Sequence, residues 1–376
     1  MKKNPLLEIR EFGQSIWLDF ISRKMIDSGE LEQFIEKDGI RGMTSNPSIF
    51  EKAIARSGDY DDPIRALAME GKRPEEIYQT LTVKDVQDAA DCFRPIYDAS
   101  DGRHGFVSLE VNPHLARDEE GTLSEARRLW SALNRPNVFI KVPATREGLT
   151  CITSLISEGI NVNVTLLFGL PRYRKVAEAY LAGLEKRIES GASLSRVASV
   201  ASFFLSRIDV LVDPILKRKM KEVGSNTEMA KRIRGQVAVS SAKVAYQIYK
   251  EIFGGERFGS LAGQGARPQR VLWASTGNKN PEYSDIKYVE PLIGPETVNT
   301  LPRETLDAYR DHGAPAARLE QGVAEAEEAL RELSRLNIDL DDVTRQLETE
   351  GIEKFNKPYD ALMEILAENP ERNSSP

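Results

Sequence analysis

Eight short segments of the chain are apolar or alternate apolar with polar residues: 15–20, 40–45, 105–111, 137–142, 160–168, 196–204, 270–275 and 297–302. Runs of this length and composition read as strands. Between most of them apolar positions recur at helical spacing, as at 83–98, 122–132, 146–157, 171–190 and 227–252. Strand then helix, with mostly short connections, predicts a parallel sheet with helices outside it. Eight strands predict an α/β fold closed into a (β/α)8 barrel, the TIM-barrel architecture. A doubly wound open sheet is the alternative. The G-x-G-x-x-G turn that would open a dinucleotide-binding half is missing after the first strand.

The pattern changes after residue 313. Two charged amphipathic helices are predicted, and in the second Val343, Leu347, Ile352, Phe355, Tyr359, Leu362 and Leu366 recur at helical spacing. No Pro/Gly/Ser linker precedes them. Residues 1–376 are therefore expected to form a single domain, with 314–376 a helical extension packed on the barrel. The tail ENPERNSSP is expected to fray.

Side chains alternate across a strand, so polar residues inside these runs carry information. In INVNVTLLF, Asn161, Asn163 and Thr165 share one face, and Val162, Val164, Leu166 and Phe168 the other. A strand of a buried parallel sheet is usually apolar on both faces. The polar row is therefore expected inside the barrel near its C-terminal mouth, where such barrels carry their active sites. By the same rule Asp19 stands opposite Ile16, Leu18 and Phe20. Ser108 and Glu110 share a face, Lys141 shares one with Phe139, and Ser275 one with Trp273. Each charge has a plainer reading: Asp19 as a helix cap, Glu110 and Lys141 as an interior salt bridge. Yet burying charge costs stability even when it is paired, and three ionisable groups on inward faces favour chemistry.

An ammonium in an apolar setting is disfavoured. The free amine attacks carbonyls to give a Schiff base, which serves as an electron sink. Breaking a bond beta to the imine then needs an acid/base, and the carboxylates are the candidates. The inferred reaction class is carbon–carbon cleavage or formation on a keto substrate, with no metal or other cofactor.

The composition narrows the setting. With 51 basic and 58 acidic residues the net charge is −7, which argues against nucleic acid or an anionic membrane as partner. Two cysteines, Cys92 and Cys151, build no disulfide framework, and a reducing cytoplasm is the expected location. His104, His114 and His312 lack metal-ligand spacing. The N-terminus has no apolar signal segment, and no run approaches the length of a membrane span.

From about residue 13 onward the chain resembles the transaldolases of the longer bacterial type. The resemblance rests on SIWLDFISRKMI, GIRGMTSNPSIFEKAI, VSLEVNPHLA, NVFIKVPAT, INVNVTLLF, VASVASFFLSRID and VLWASTGNKNP. It implies a (β/α)8 Schiff-base aldolase that moves a dihydroxyacetone unit between sugar phosphates in the non-oxidative pentose phosphate pathway. It implies Lys141 as the Schiff-base lysine, Asp19 as acid/base on the C4 hydroxyl, and Glu110 acting through a water held partly by Thr165. Asn46, Asn163 and Ser202 would bind the dihydroxyacetone hydroxyls; Arg207 and Ser275 would bind the phosphate. Many such enzymes carry a second phosphate-binding arginine near the position of Gly277. Here Lys279 is the candidate, with Arg41, Arg172 and Arg174 as other cations near strand ends.

The related fructose 6-phosphate aldolases are smaller and release free dihydroxyacetone. Glu110, and Phe204 where those relatives carry tyrosine, argue against that activity. A non-catalytic sugar-phosphate-binding barrel would need Arg207 and Ser275 but not Lys141. The sequence leaves monomer and homodimer open.

Overall fold

Eight short runs, apolar or alternating, let each strand bury one face under helices and the other inside a closed sheet. In the computed structural model, which describes residues 4–222 and 225–368, the strands are β1 (Gln14–Asp19), β2 (Gly42–Thr44), β3 (Phe106–Glu110), β4 (Val138–Pro143), β5 (Val162–Leu167), β6 (Ser199–Phe204), β7 (Arg270–Ala274) and β8 (Thr297–Leu301). They pair in parallel in chain order, and β8 pairs back to β1. The barrel is closed, which excludes the open sheet. Each predicted strand is present, its ends shifted by no more than three residues.

Inward-facing side chains fill the barrel below its mouth. Phe106 and Phe139 stack with ring centroids 4.3 Å apart, and Trp17 lies 6.1 Å from Phe139. Gly42 makes room for this layer: a Cβ there would lie 2.5 Å from the Trp17 indole and 2.8 Å from the Phe106 carbonyl oxygen. On the outward face Val138, Ile140 and Val142 are fully buried under the helices.

Three expectations need correction. The helix predicted over 227–252 is two, Ser225–Ile233 and Val237–Phe253. Asp213 accepts the Gly235 N–H and Asp209 the Ala238 N–H, so buried carboxylates of the helix Ser206–Lys219 hold the chain in a turn that periodicity does not register. The polar row of β5 also splits. Asn161 precedes the strand at the N-terminal end, donates to the carbonyls of Pro136 and Val138 and accepts the Ala198 N–H. Finally, a bulge interrupts the pairing between Val164 and Leu167, with Leu166 at φ +54°. Beyond it Phe168 packs on Phe204, centroids 5.2 Å apart. The tail beyond Glu368, expected to fray, lies outside the described residues.

Helix Val323–Arg335 packs on Val237–Phe253. Helix Leu340–Glu368 packs on Pro47–Ala55 and Pro74–Ala99 and reaches β5. Val343, Leu347, Phe355, Tyr359, Leu362 and Leu366 are its buried apolar stripe, and Ile352 is partly buried. Gly351 allows the approach to β5: a Cβ there would lie 3.0 Å from Leu166 and 3.6 Å from Arg207 Nη1.

Gly42→Ala is expected to cost about 1–3 kcal/mol through overpacking against Trp17. Urea unfolding measures it, and an unchanged midpoint would show that the aromatic layer has slack.

Candidate active site

The mouth of the barrel is built from strand ends. Glu110 and Lys141 are register partners on β3 and β4, and Lys141 is the register partner of Asn163 on β5. Their side chains therefore share one level of the barrel, just above the aromatic layer. Lys141 is 4 % exposed and Glu110 7 %. Lys141 Nζ donates to Glu110 Oε2 at 2.8 Å and to the Ser45 carbonyl at 2.9 Å. The interior salt bridge is real, and it stands at the floor of a cavity. Glu110 Oε1 and Thr165 Oγ1 are buried without a hydrogen-bond partner among the described residues.

Asp19 ends β1 on the cavity wall. It caps no helix; the Ser22 side chain caps the following one. Thr44 Oγ1 donates to Asp19 Oδ1 at 2.6 Å and touches Thr300 Oγ1 at 2.7 Å. Thr44 has one proton, so with that proton on Asp19 the Thr300 hydroxyl donates to Thr44. Burial holds the Asp19 carboxyl above the ordinary carboxylate range. The Thr44 hydrogen bond and the charges of Lys141, Lys279 and Arg207 oppose it. Burial also raises Glu110, against the charge and hydrogen bond of Lys141. Two carboxyls more basic than usual thus flank one amine.

The remaining predicted residues divide. Asn46 lines the cavity and caps the helix Pro47–Ala55, accepting the Ile49 N–H at 3.1 Å. Ser202, on the wall, donates to Asn163 Oδ1 at 2.7 Å, and Asn163 Nδ2 donates to Ser108 Oγ at 3.0 Å. Asn163 is fully buried and presents no surface to the cavity, so it positions Ser202. Phe204 lines the wall. Arg207 lies between Phe204 and Phe355, its guanidinium carbon 5.5 and 5.7 Å from the ring centroids. Its Nη1 is buried without a partner among the described residues, and burial lowers its pKa. Ser275 reaches the cavity by a route that alternation does not supply. Its φ of +54° turns it inward beside Ala274, whereas Trp273 faces out and donates to the Leu292 carbonyl. The hydroxyls of Ser206 and Ser275 are 2.9 Å apart. Lys279 is exposed at the rim and its Nζ lies over Gly277.

Three cations from the sequence reading lie elsewhere. Arg172 pairs with Glu348 and Arg174 with Glu251, both outside the cavity, and Arg41 is at the opposite end of the barrel. The histidines are scattered: His104 is also at that far end, His114 contacts Asp360 and His312 contacts Asp285. Sequence reasoning missed Thr44, Thr300 and Phe355 on the cavity wall. Thr44 and Thr300 stand at strand ends, like Asp19, so the alternation rule could have found them. Phe355 lies in a helix far along the chain, where periodicity registers only a core position.

A cavity of about 200 Å³ thus joins the amines of Lys141 and Lys279, the Asp19 carboxyl, several hydroxyls and a guanidinium, with Glu110 bonded to Lys141 beside it. Such a set can form an imine at one end of a ligand and hold an anion at the other. The sequence profile of the family described as Transaldolase/Fructose-6-phosphate aldolase matches residues 16–366. The chain belongs to this family. A transaldolase of Trichodesmium erythraeum is 50 % identical, covering 98 % of both chains. One of Thiobacillus denitrificans is 49 % identical over 96 % of this chain and 99 % of its own. Another, of Saccharopolyspora erythraea, is 46 % identical over 98 % of each.

Thr44→Val removes the hydrogen bond that lowers Asp19, so the Asp19 titration midpoint is expected to rise further. Carbon-13 NMR of labelled aspartate measures it. A midpoint that stays put or falls would mean that the Thr44 contact does not stabilise the carboxylate.

Proposed function

We propose that this protein is a transaldolase whose Schiff base forms on Lys141. The observation that carries the reading is the buried Lys141 Nζ, held 2.8 Å from Glu110 on the floor of a cavity whose wall bears Asp19 and Arg207. The donor is a ketose phosphate, sedoheptulose 7-phosphate or fructose 6-phosphate. Arg207, with Ser275 and Lys279, holds its phosphate, and the forked guanidinium suits that group. Asn46 and Ser202, the latter oriented by Asn163, face the dihydroxyacetone hydroxyls.

The amine of Lys141 adds to the C2 carbonyl. Loss of water leaves a protonated imine, with Glu110 and Thr165 placing the water that carries the proton. Asp19 takes the C4 hydroxyl proton, the C3–C4 bond breaks, and its electron pair enters the imine to give an enamine. The aldose phosphate leaves. The enamine carbon then attacks the aldehyde of the acceptor, erythrose 4-phosphate or glyceraldehyde 3-phosphate, and Asp19 returns its proton to the new alkoxide. Hydrolysis of the imine releases the product ketose and restores the amine.

Phe204, packed on Phe168, and Phe355, its ring centroid 5.9 Å from Lys141 Nζ, are apolar walls that limit water at the enamine. That favours transfer over the lyase activity of fructose 6-phosphate aldolases. The same reading takes 1–376 as one domain with 314–376 as its extension, works in the cytoplasm as monomer or homodimer, and needs no nucleic acid. Among the described residues no helix is long and apolar enough to cross a membrane.

Borohydride reduction in the presence of fructose 6-phosphate is expected to leave a reduced dihydroxyacetone adduct on Lys141, located by peptide mass spectrometry; an adduct on another lysine, or none on folded protein, would overturn the assignment. Asp19→Asn is expected to lower kcat by about 10²–10⁴-fold while trapping by preformed dihydroxyacetone persists. Phe355→Ala is expected to raise free dihydroxyacetone release relative to transfer, measured with and without acceptor. An unchanged ratio would remove Phe355 from the water barrier.

A further inference from the structure

A second cavity, of about 310 Å³, opens at the N-terminal end of the barrel, away from Lys141. It is lined at the starts of the strands whose other ends carry the active site. Five arginines surround it: Arg10, Arg41, Arg103, Arg267 and Arg270. Glu296 is the one carboxylate in its lining among the described residues. Among the described residues, only Arg267 of the five has a carboxylate ion-pair partner, the exposed Asp101 at 3.3 Å. This concentration of positive charge contrasts with a chain whose net charge is −7.

Arg270 is held in place by neutral groups. Arg270 Nη2 donates to the Arg103 carbonyl at 2.9 Å and Nη1 to Ser15 Oγ at 3.3 Å. Ser15 Oγ lies 3.1 Å from His104 Nδ1. Burial, then Arg270, Arg41 and Arg103, push the imidazole down to about 3, so the ring adds no positive charge to the cluster. Burial and Arg10 lower Arg41. Burial is the main cause that brings Arg270 down to about 10; Glu296 and Tyr249 oppose it, and Arg103 and Arg267 add to it. Guanidinium groups crowded into a partly buried space repel one another, and a bound anion is the counter-charge that relieves them. Phe106, Phe139 and Val200 form an apolar floor beneath the charges.

We propose that this cavity binds a small-molecule polyanion carrying phosphate groups, at a site separate from the barrel mouth. Forked guanidiniums match phosphate oxygens in pairs. With five arginines against one carboxylate, a diphosphate is better matched than a single phosphate.

The test is isothermal titration of the full chain with sodium pyrophosphate at low ionic strength. Saturable binding that persists under saturating fructose 6-phosphate, and in Arg207→Ala, is expected. Arg41→Gln with Arg103→Gln is expected to weaken it at least tenfold while transaldolase turnover stays unchanged. Arg103→Glu, at an exposed position, is expected to weaken it too, should the double variant fail to fold. No saturable heat, binding that survives these cavity substitutions, or binding lost in Arg207→Ala would each overturn the proposal. Because the readout is binding, it stands apart from the reading of the mouth: failure of Schiff-base trapping would not remove this site, nor would its absence bear on Lys141.

Discussion

A lysine and a glutamate, each almost wholly removed from water, face each other at 2.8 Å across β3 and β4. Stripping water from two such charges costs several kcal/mol per ion, and their attraction repays it only with good geometry and further hydrogen bonds. The geometry comes from register. Glu110 and Lys141 are direct partners, and Lys141 is in turn paired with Asn163. The further bond comes from the Ser45 carbonyl in the turn after β2. A one-residue slip would send these side chains outward into the helices, so closure of the barrel and the chemistry of its mouth are one constraint.

Most of the fold was legible because the eight runs are short and apolar or alternating, while most segments between them keep a helical period. Asp19, Glu110 and Lys141 were legible because charge inside an apolar alternating run has few explanations. Alternation failed where the backbone leaves the regular strand. Ser275 and Leu166 both adopt positive φ, and after each the facing of side chains no longer follows from counting. Asn161 failed differently: it belongs to the same polar row as Asn163 but lies before the strand, where its amide satisfies backbone groups. The two-helix break at 234–236 depends on Asp209 and Asp213, more than twenty residues away, and no local pattern contains it.

The two ends of the barrel handle positive charge in different ways. At the mouth, Arg207 is isolated between two aromatic rings, with Asp19 and Glu110 in electrostatic reach. At the far end, five arginines line one cavity, and Arg270 rests on a carbonyl and a hydroxyl oxygen. The aromatic layer of Trp17, Phe106 and Phe139 separates the two. It is an apolar septum that keeps the lysine and the cationic cluster from sharing solvent.

The placing of Phe355 bears on how the protein is made. All eight strands are complete by Leu301, but the ring beside Lys141 comes from a helix that begins only at Leu340. A nascent chain therefore holds its amine and both carboxyls before it has the wall that shields them. Gly351 lets this helix settle against β5. The last helix to be synthesised thus completes the apolar side of a pocket whose polar side is encoded much earlier in the chain.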